Sequence, residues 1–457
     1  MSVSWRPQHL PPERVPRIPH LLPPGPAAPR SRGECIATAA GDEASRLIRV
    51  SIEPSTVVYS AALVFPVTSP RIADGAVAVE NGRIVHVGDR RWVLDTLDSR
   101  GAAFREERCD GVLAPGLVNA HTHLQYTHMA EVATRNYNGF DDWGDAFDIA
   151  YGRNGHDWAA AAADGARMSL EAGVTAAADV VTDEEALSAL HDAGLHGIAY
   201  WEVYGKSNAD WSPEAREEVR QQIRNIPTPP GAGVSPHAPY SLEVQPLLEI
   251  PDIVREEGLR LHIHLAEAHM EREFDGIDGY AAPGSHGGWP ELAADSFRAL
   301  RSHGIGVSST QFVDHLGVLG PDCHIAHGVY VNAEDRALLR ARGSSVALCP
   351  RSNEVIGLDM PPVAAYLREG NPIAVGTDSL SSSPSLDLLA DVAALYRVAR
   401  EQGYHGNDLH QRLFSAATLG GAAALGLHVG KRRIGQLGVG AVADLASFDV
   451  PTHDADV

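Results

Sequence analysis

Eight short apolar runs of strand length, spaced by stretches of helical character, constrain this chain more than anything else in it. They are GLVNAH (116–121), TAAADV (175–180), GIAYWEV (197–203), AGVSPHA (232–238), LRLHIHLAE (259–267), CHIAHGV (323–329), SSVALCP (344–350) and NPIAVGTDS (371–379). Alternating strand and helix is the pattern of α/β architecture. Eight such units predict a closed (β/α)8 barrel of the TIM type, in which the downstream strand ends share one rim. Residues able to do chemistry stand at those ends: His121 and His123 in LVNAHTHLQ, His264 and Glu267 in LHIHLAEAH, His327 in CHIAHG, and Asp378 in VGTDS.

The intervening pieces agree. WAAAAADGARMSLEAG reads as a helix, as does SLDLLADVAALYRVAREQG, which carries apolar residues at helical spacing. Ser212 before Pro213 is an N-cap followed by a proline in the first turn. Two longer insertions, 124–157 and 268–312, leave the same rim, where loops shape substrate pockets.

Both chain ends depart from this pattern. Residues 1–46 open as a proline-rich arm (PPERVPRIPHLLPPGPAAPR), expected to be extended or disordered. Over 47–111, TVVYSAALVFPV and GAVAVENGRIVHVGD read as strands of a small β-domain, with a hairpin turn at Glu80-Asn81-Gly82. The barrel is expected over 112–424. Residues 425–457 then return to the small domain, where Ile434, Leu437, Val439, Ala443, Leu445 and Phe448 would add strands. A composite β-domain built from both chain ends follows.

Composition excludes several classes. The 457 residues carry a formal net charge of −22 at pH 7. Such a surface repels nucleic acid and anionic membranes within a screening length of about 8 Å. No run of eighteen apolar residues occurs, so no membrane span is expected, and the start lacks the apolar core of a secretion signal. Cys35, Cys109, Cys323 and Cys349 form no CxxC pair, which fits a reducing cytoplasm; Cys323 and Cys349 read as core thiols. P-loop, GxGxxG, GxSxG and HxE…PCxxC signatures are all missing. Chemistry must therefore come from the dispersed rim residues.

In His121-Thr122-His123, alternate side chains of a strand face the same way, so two imidazoles can meet one cation. His264 can add a third nitrogen, with Glu267 long enough to reach a bound water. Asp378 can complete the shell and take a proton from that water. His327 reads equally as a further ligand or as a group serving the substrate or the water. His262 shares the parity of His264 but sits deeper, in a packing position, and His269 and Glu271 read as solvated loop residues. No lysine ends the fourth strand, where SPHAPYS stands, and this favours one cation over a bridged pair. His237 in that segment reads as a substrate contact or a support behind the ligands. Arg351 and Asn353 in CPRSN could read a polar substrate group, with a loop-locking salt bridge as the alternative for Arg351. Trp143 and Tyr126 could supply stacking surfaces.

PGLVNAHTHL, SPHAPYS, HLAE, His327, CPRSN and GTDS together resemble the amidohydrolase superfamily, in its cytosine-deaminase-like and chlorohydrolase-like branch, over roughly 55–450. That resemblance implies a barrel with a composite β-domain and a single zinc, or iron, held by His121, His123, His264 and Asp378. Glu267 would be the proton shuttle, and His327 would orient water and substrate. The implied activity is hydrolytic deamination of an aminated purine or related N-heterocycle. SPHAPYS and CPRSN are similar to segments of aminodeoxyfutalosine deaminases, where Arg351 would suit a substrate carboxylate. The alternatives are dechlorination or dealkylamination of a triazine-like ring, cyclic amide hydrolysis, or a non-catalytic binding or assembly protein on this scaffold. The resemblance also suggests a homodimer acting on a small heterocyclic molecule.

Overall fold

The structure is a computed structural model that describes residues 56–271 and 308–450. The proline-rich arm, Cys35 and most of the 268–312 insertion lie outside these residues.

Two sheets organise the chain. The smaller contains β1 (Thr56–Val64), β2 (Ile72–Glu80), β3 (Arg83–Asp89), β4 (Phe104–Pro115) and β13 (Leu445–Phe448), in the order β13-β4-β1-β2-β3. β1 runs parallel to β4, whereas the β1–β2, β2–β3 and β4–β13 pairs are antiparallel. The β2–β3 turn has Asn81 at φ 50° and Gly82 at φ 71°, the left-handed pair that a tight hairpin requires. The sheet thus joins both ends of the described chain, as expected, but the C-terminal contribution is narrower. Only Leu445–Phe448 forms a strand, with a single bridge from Val442 to Arg83. Gly435 (φ 75°) and Gly440 (φ 83°) break the extended run, and Val439 is exposed.

The larger sheet has eight strands: β5 (Leu117–Thr122), β6 (Val174–Val181), β7 (His196–Val203), β8 (Gly231–Pro236), β9 (Arg260–Leu265), β10 (Cys323–His327), β11 (Ser345–Leu348) and β12 (Ile373–Val375). They pair in chain order and always in parallel. All eight expected runs are strands. The ring closes where the His121 carbonyl accepts from the Thr377 and Asp378 amides at 3.1 and 3.0 Å, and the Asn119 amide donates to Thr377 Oγ1 at 2.8 Å. At this seam a Cβ on Gly376 would stand 2.8 Å from both His121 Cβ and Cys349 Sγ, so a larger residue would force the closure apart.

Strand alternation sorts the barrel. On β9, Leu261, Ile263 and Leu265 join the apolar layer under the helices, while His262 and His264 belong to the opposite face. The helices follow their sequence signals. Asp157 caps Trp158–Glu171, and Ser212 caps Pro213–Asn225 with Pro213 in the first turn. Leu388–Glu401 buries Leu388, Leu395 and Val398. Among the described residues, no helix is long and apolar enough to cross a membrane.

Candidate metal centre and substrate pocket

Four strand ends deliver the nitrogen and oxygen donors. β5 gives His121 and, just beyond it, His123; β9 gives His264, β10 gives His327, and Asp378 follows β12. Two buried triads share His121: one with His123 and His264, the other with His327 and Asp378, with donor atoms in each within 4.8 Å of one another. Nε2 of His123 lies 3.3 Å from Nε2 of His264, and Asp378 Oδ1 lies 3.5 and 3.8 Å from Nε2 of His121 and His123. Donors about 2.0–2.1 Å from a tetrahedral zinc-type ion stand about 3.4 Å apart, so the spacing suits one such divalent cation. Both ring nitrogens of His121 are buried without a protein hydrogen bond, which is what a ligand awaiting an ion leaves behind.

The donors are held by what lies behind them. His264 Nδ1 is 3.0 Å from the His237 carbonyl, so its Nδ1 carries the proton and Nε2 keeps the free lone pair. Asp378 Oδ2 accepts from Ser352 (2.7 Å) and Ser382 (2.8 Å), while Oδ1 accepts from the Ser379 amide at 2.8 Å. Burial alone would raise the Asp378 carboxyl; the neighbouring imidazoles of His121, His327 and His123 hold it well below the usual carboxylate range. Burial lowers the pKa of His121, His264 and His327 and takes that of His123 to about 3, favouring the neutral rings a metal needs. His262 stacks flat on His121, at 4.9 Å and 9°. Ala266 (φ 53°), His327 (φ 72°) and Asp378 (φ 59°) all adopt left-handed backbone at this rim, strain that commonly marks a functional site.

Glu267 lies beside the donors. Its Oε1 is 3.4 Å from His327 Nε2, and its Oε2 accepts from the Tyr240 hydroxyl at 2.9 Å. Burial, then the charge of Asp378, push its pKa up to about 8. Glu271 departs from the expected solvated role. It is fully buried, and its carboxylate accepts from the amides of Ala266, Glu267 and Ala268 at 2.7, 2.7 and 2.9 Å, fixing the turn that presents Glu267.

Beside the donors opens a pocket with a cavity volume of about 140 Å³, with Tyr126, Trp143, Phe147, Tyr151 and Tyr204 among its aromatic walls. The 124–157 insertion supplies most of them through its helix Phe140–Tyr151. Tyr126 stacks on His123 (5.4 Å), and the Trp143 indole donates to the Ser381 carbonyl at 3.0 Å. His237 also lines this space, with Nδ1 2.7 Å from Ser241 Oγ. Asn353 is buried beside His327, behind the donors.

Of the expected substrate contacts, neither Asn353 nor Arg351 is among the residues lining this pocket. Pro350 starts a helix (Pro350–Ile356), and the guanidinium turns to buried Asp391 (2.8 Å) and to the carbonyls of Ser385 and Asp387. The loop-locking salt bridge is the arrangement found. Glu202 is the residue that sequence reasoning missed. It is buried at the end of β7 and lines the pocket, and burial pushes its pKa up to about 8. Its signal was a lone acid within the apolar run GIAYWEV.

Donors on the rim of a closed parallel barrel, beside an aromatic pocket, define a metal-dependent hydrolase scaffold. The amidohydrolase family model matches residues 112–457. The chain is 30% identical to a 5-methylthioadenosine/S-adenosylhomocysteine deaminase of Nitratidesulfovibrio vulgaris, over 87% of this chain and 84% of that protein. A protein of the same name from Halobacterium salinarum is also 30% identical, over 84% and 83%. Among solved structures, a zinc-bound adenosine deaminase from Xanthomonas campestris superposes with a TM-score of 0.70 at 24% identity, covering 88% of each chain. An aminofutalosine deaminase from Helicobacter pylori gives 0.70 at 20% identity, covering 87% of this chain and 93% of that one. The chain belongs to the amidohydrolase family, in its cytosine-deaminase-like and chlorohydrolase-like branch.

Proposed function

We propose that the protein is a metal-dependent aminohydrolase that replaces the exocyclic amine of an aminated purine, or related N-heterocycle, with oxygen and releases ammonia. The observation that carries this reading is the convergence of His121, His123, His264 and Asp378 beside an aromatic pocket that Glu267 also lines. His121, His123, His264 and Asp378 would hold the cation, zinc or iron, which when bound makes water acidic enough to attack at neutral pH. Asp378, anchored by two serines, accepts the proton of the attacking water. Glu267 holds a proton at its carboxyl, passes it to the ring nitrogen beside the attacked carbon, then takes the proton of the newly added hydroxyl and gives it to the departing amine, after which the proton held by Asp378 restores Glu267. Tyr240 fixes the orientation of Glu267, and His327, 3.4 Å from it, aligns the reacting group. Tyr126 and Trp143 sandwich the ring, with His237 contacting its substituent.

The names of the relatives favour an adenosine-like nucleoside, a class that includes the 6-aminodeoxyfutalosine type. With Arg351 committed to Asp391, a substrate carboxylate would need another partner. We further infer a cytoplasmic homodimer acting on small molecules; the net charge of −22 speaks against nucleic acid as the substrate. Zinc-loaded protein is assayed for ammonia from adenosine, 5-methylthioadenosine, S-adenosylhomocysteine, cytosine and aminotriazines, with chloride and alkylamine release followed in parallel. Ammonia from the adenosine group is expected; release of chloride or alkylamine alone would replace this reading with triazine-type hydrolysis.

A further inference from the structure

Glu202 has no role in the chemistry just described, yet it is a carboxyl in the substrate pocket and only 6% exposed. Its surroundings show what it lacks. Thr182 Oγ1 donates to Glu202 Oε2 at 3.1 Å and is itself 3.0 Å from the Tyr126 hydroxyl. The threonine has one proton to give, so Tyr126 must donate to Thr182 and Thr182 to Glu202. The relay ends on Glu202 as an acceptor and fixes one carboxyl oxygen. The other, Oε1, is buried and meets no protein donor. The nearest candidate is His264 Nδ1, 3.8 Å away, but that proton already goes to the His237 carbonyl at 3.0 Å. A buried acceptor left open is costly unless something fills it.

Glu202 is also poorly placed to complete the cation shell. The donors with His121 converge through Nε2 of His123 and His264, whereas Glu202 faces the Nδ1 side of the His264 ring. A carboxylate oxygen of Glu202 and a ring nitrogen of His237 do lie within 4.8 Å of each other.

We propose that Glu202, held by Thr182 and Tyr126, is a specificity-determining residue whose Oε1 accepts a hydrogen bond from a donor of the substrate remote from the attacked carbon. The donor is an O–H on the sugar substituent, because beyond its amine the ring of an adenosine-like substrate offers only acceptor nitrogens. This inference rests on the aminohydrolase reading, because it takes the pocket as the substrate site.

The experiment compares wild type, Glu202→Ala and Glu202→Gln on adenosine, 2′-deoxyadenosine, 3′-deoxyadenosine and adenine, with metal content measured for each protein. Binding of the same four compounds is followed by calorimetry, so the subsite is read even if none is turned over. Leaving the substrate's donor buried without its acceptor costs ~1–3 kcal/mol, which corresponds to about 5- to 150-fold. Glu202→Ala is expected to lose that factor in kcat/KM or affinity for adenosine, mostly through KM, with bound metal unchanged. Glu202→Gln, which keeps the volume and one acceptor, should lose less. The penalty should vanish with whichever deoxy analogue lacks the bonded hydroxyl, and with adenine, which lacks the sugar. An equal penalty on all four compounds, no penalty on any, or loss of metal from the variants would overturn the proposal. Calorimetric binding without turnover would count against deamination while leaving the subsite standing; no binding of any compound would overturn both.

Discussion

The floor of the site and the wall of its pocket are built in opposite ways. On the floor, two of the donors and the turn beside them are tied from behind: His264 by the His237 carbonyl, Asp378 by two serines and an amide, and the Glu267 turn by the Glu271 carboxylate. The wall is a run of aromatic rings from one insertion, packed on one another at 5.1–5.8 Å through Tyr126, Phe147, Trp143 and Tyr151, with the polar atoms of Tyr126, Trp143 and Tyr151 hydrogen-bonded to Thr182, Ser381 and Asp183. Direction is fixed where a proton and an ion must be placed to within fractions of an ångström. Surface alone is supplied where a flat ligand must be received. The reaction type therefore belongs to the floor and the substrate choice to the wall, and the two should fail separately.

The sharpest break is at the floor. Asp378→Asn or His121→Ala should empty the cation site and cut turnover by about 10⁴-fold or more, read by elemental analysis alongside ammonia release. Glu267→Gln is expected to keep its metal and lose about 10²- to 10⁴-fold in kcat; full activity with metal bound would remove Glu267 from the proton path. On the wall, Trp143→Ala should leave metal content and kcat nearly intact and raise KM about 3- to 10-fold, the worth of one aromatic contact. A collapse in metal content there would show that floor and wall are not independent.

The smallest effect concerns stability. Burial raises the Asp179 pKa to about 7, against the lowering effect of the Leu124 amide that donates to it at 2.9 Å. A carboxyl with a raised folded-state pKa binds its proton more tightly when folded, so its contribution is full below about pH 4 and is lost as pH rises toward 7. Asp179→Asn retains an acceptor for Leu124 and removes that dependence. Its Tm should exceed that of wild type by a few degrees above pH 7, with the gap closing toward pH 4. A gap that does not change with pH would show that Asp179 does not titrate in this range.

The same division governed what could be read from the residues. Strand runs such as LVNAHTH and LHIHLAE carry period-two alternation and their ligand types within a few positions, so barrel and floor were legible locally. Arg351 was not, because its partner Asp391 lies 40 residues on and a helix started by Pro350 decides where the guanidinium points. Glu271 looked like a loop acid because the three amides it binds belong to a turn that exists only once Ala266 is left-handed. Glu202 carried a usable signal, an acid at the end of an apolar strand, but nothing near it in sequence named a ligand.

The seam of the barrel has one more consequence. Asn119 and Thr377, whose side chains bond across it, are 258 residues apart, and the donors on either side are separated by nearly as much. During synthesis the first two imidazoles leave the ribosome long before the aspartate that completes their set. Stalled chains ending before residue 370 should retain far less zinc than chains released past residue 450, so the cation would be acquired late, as the ring shuts.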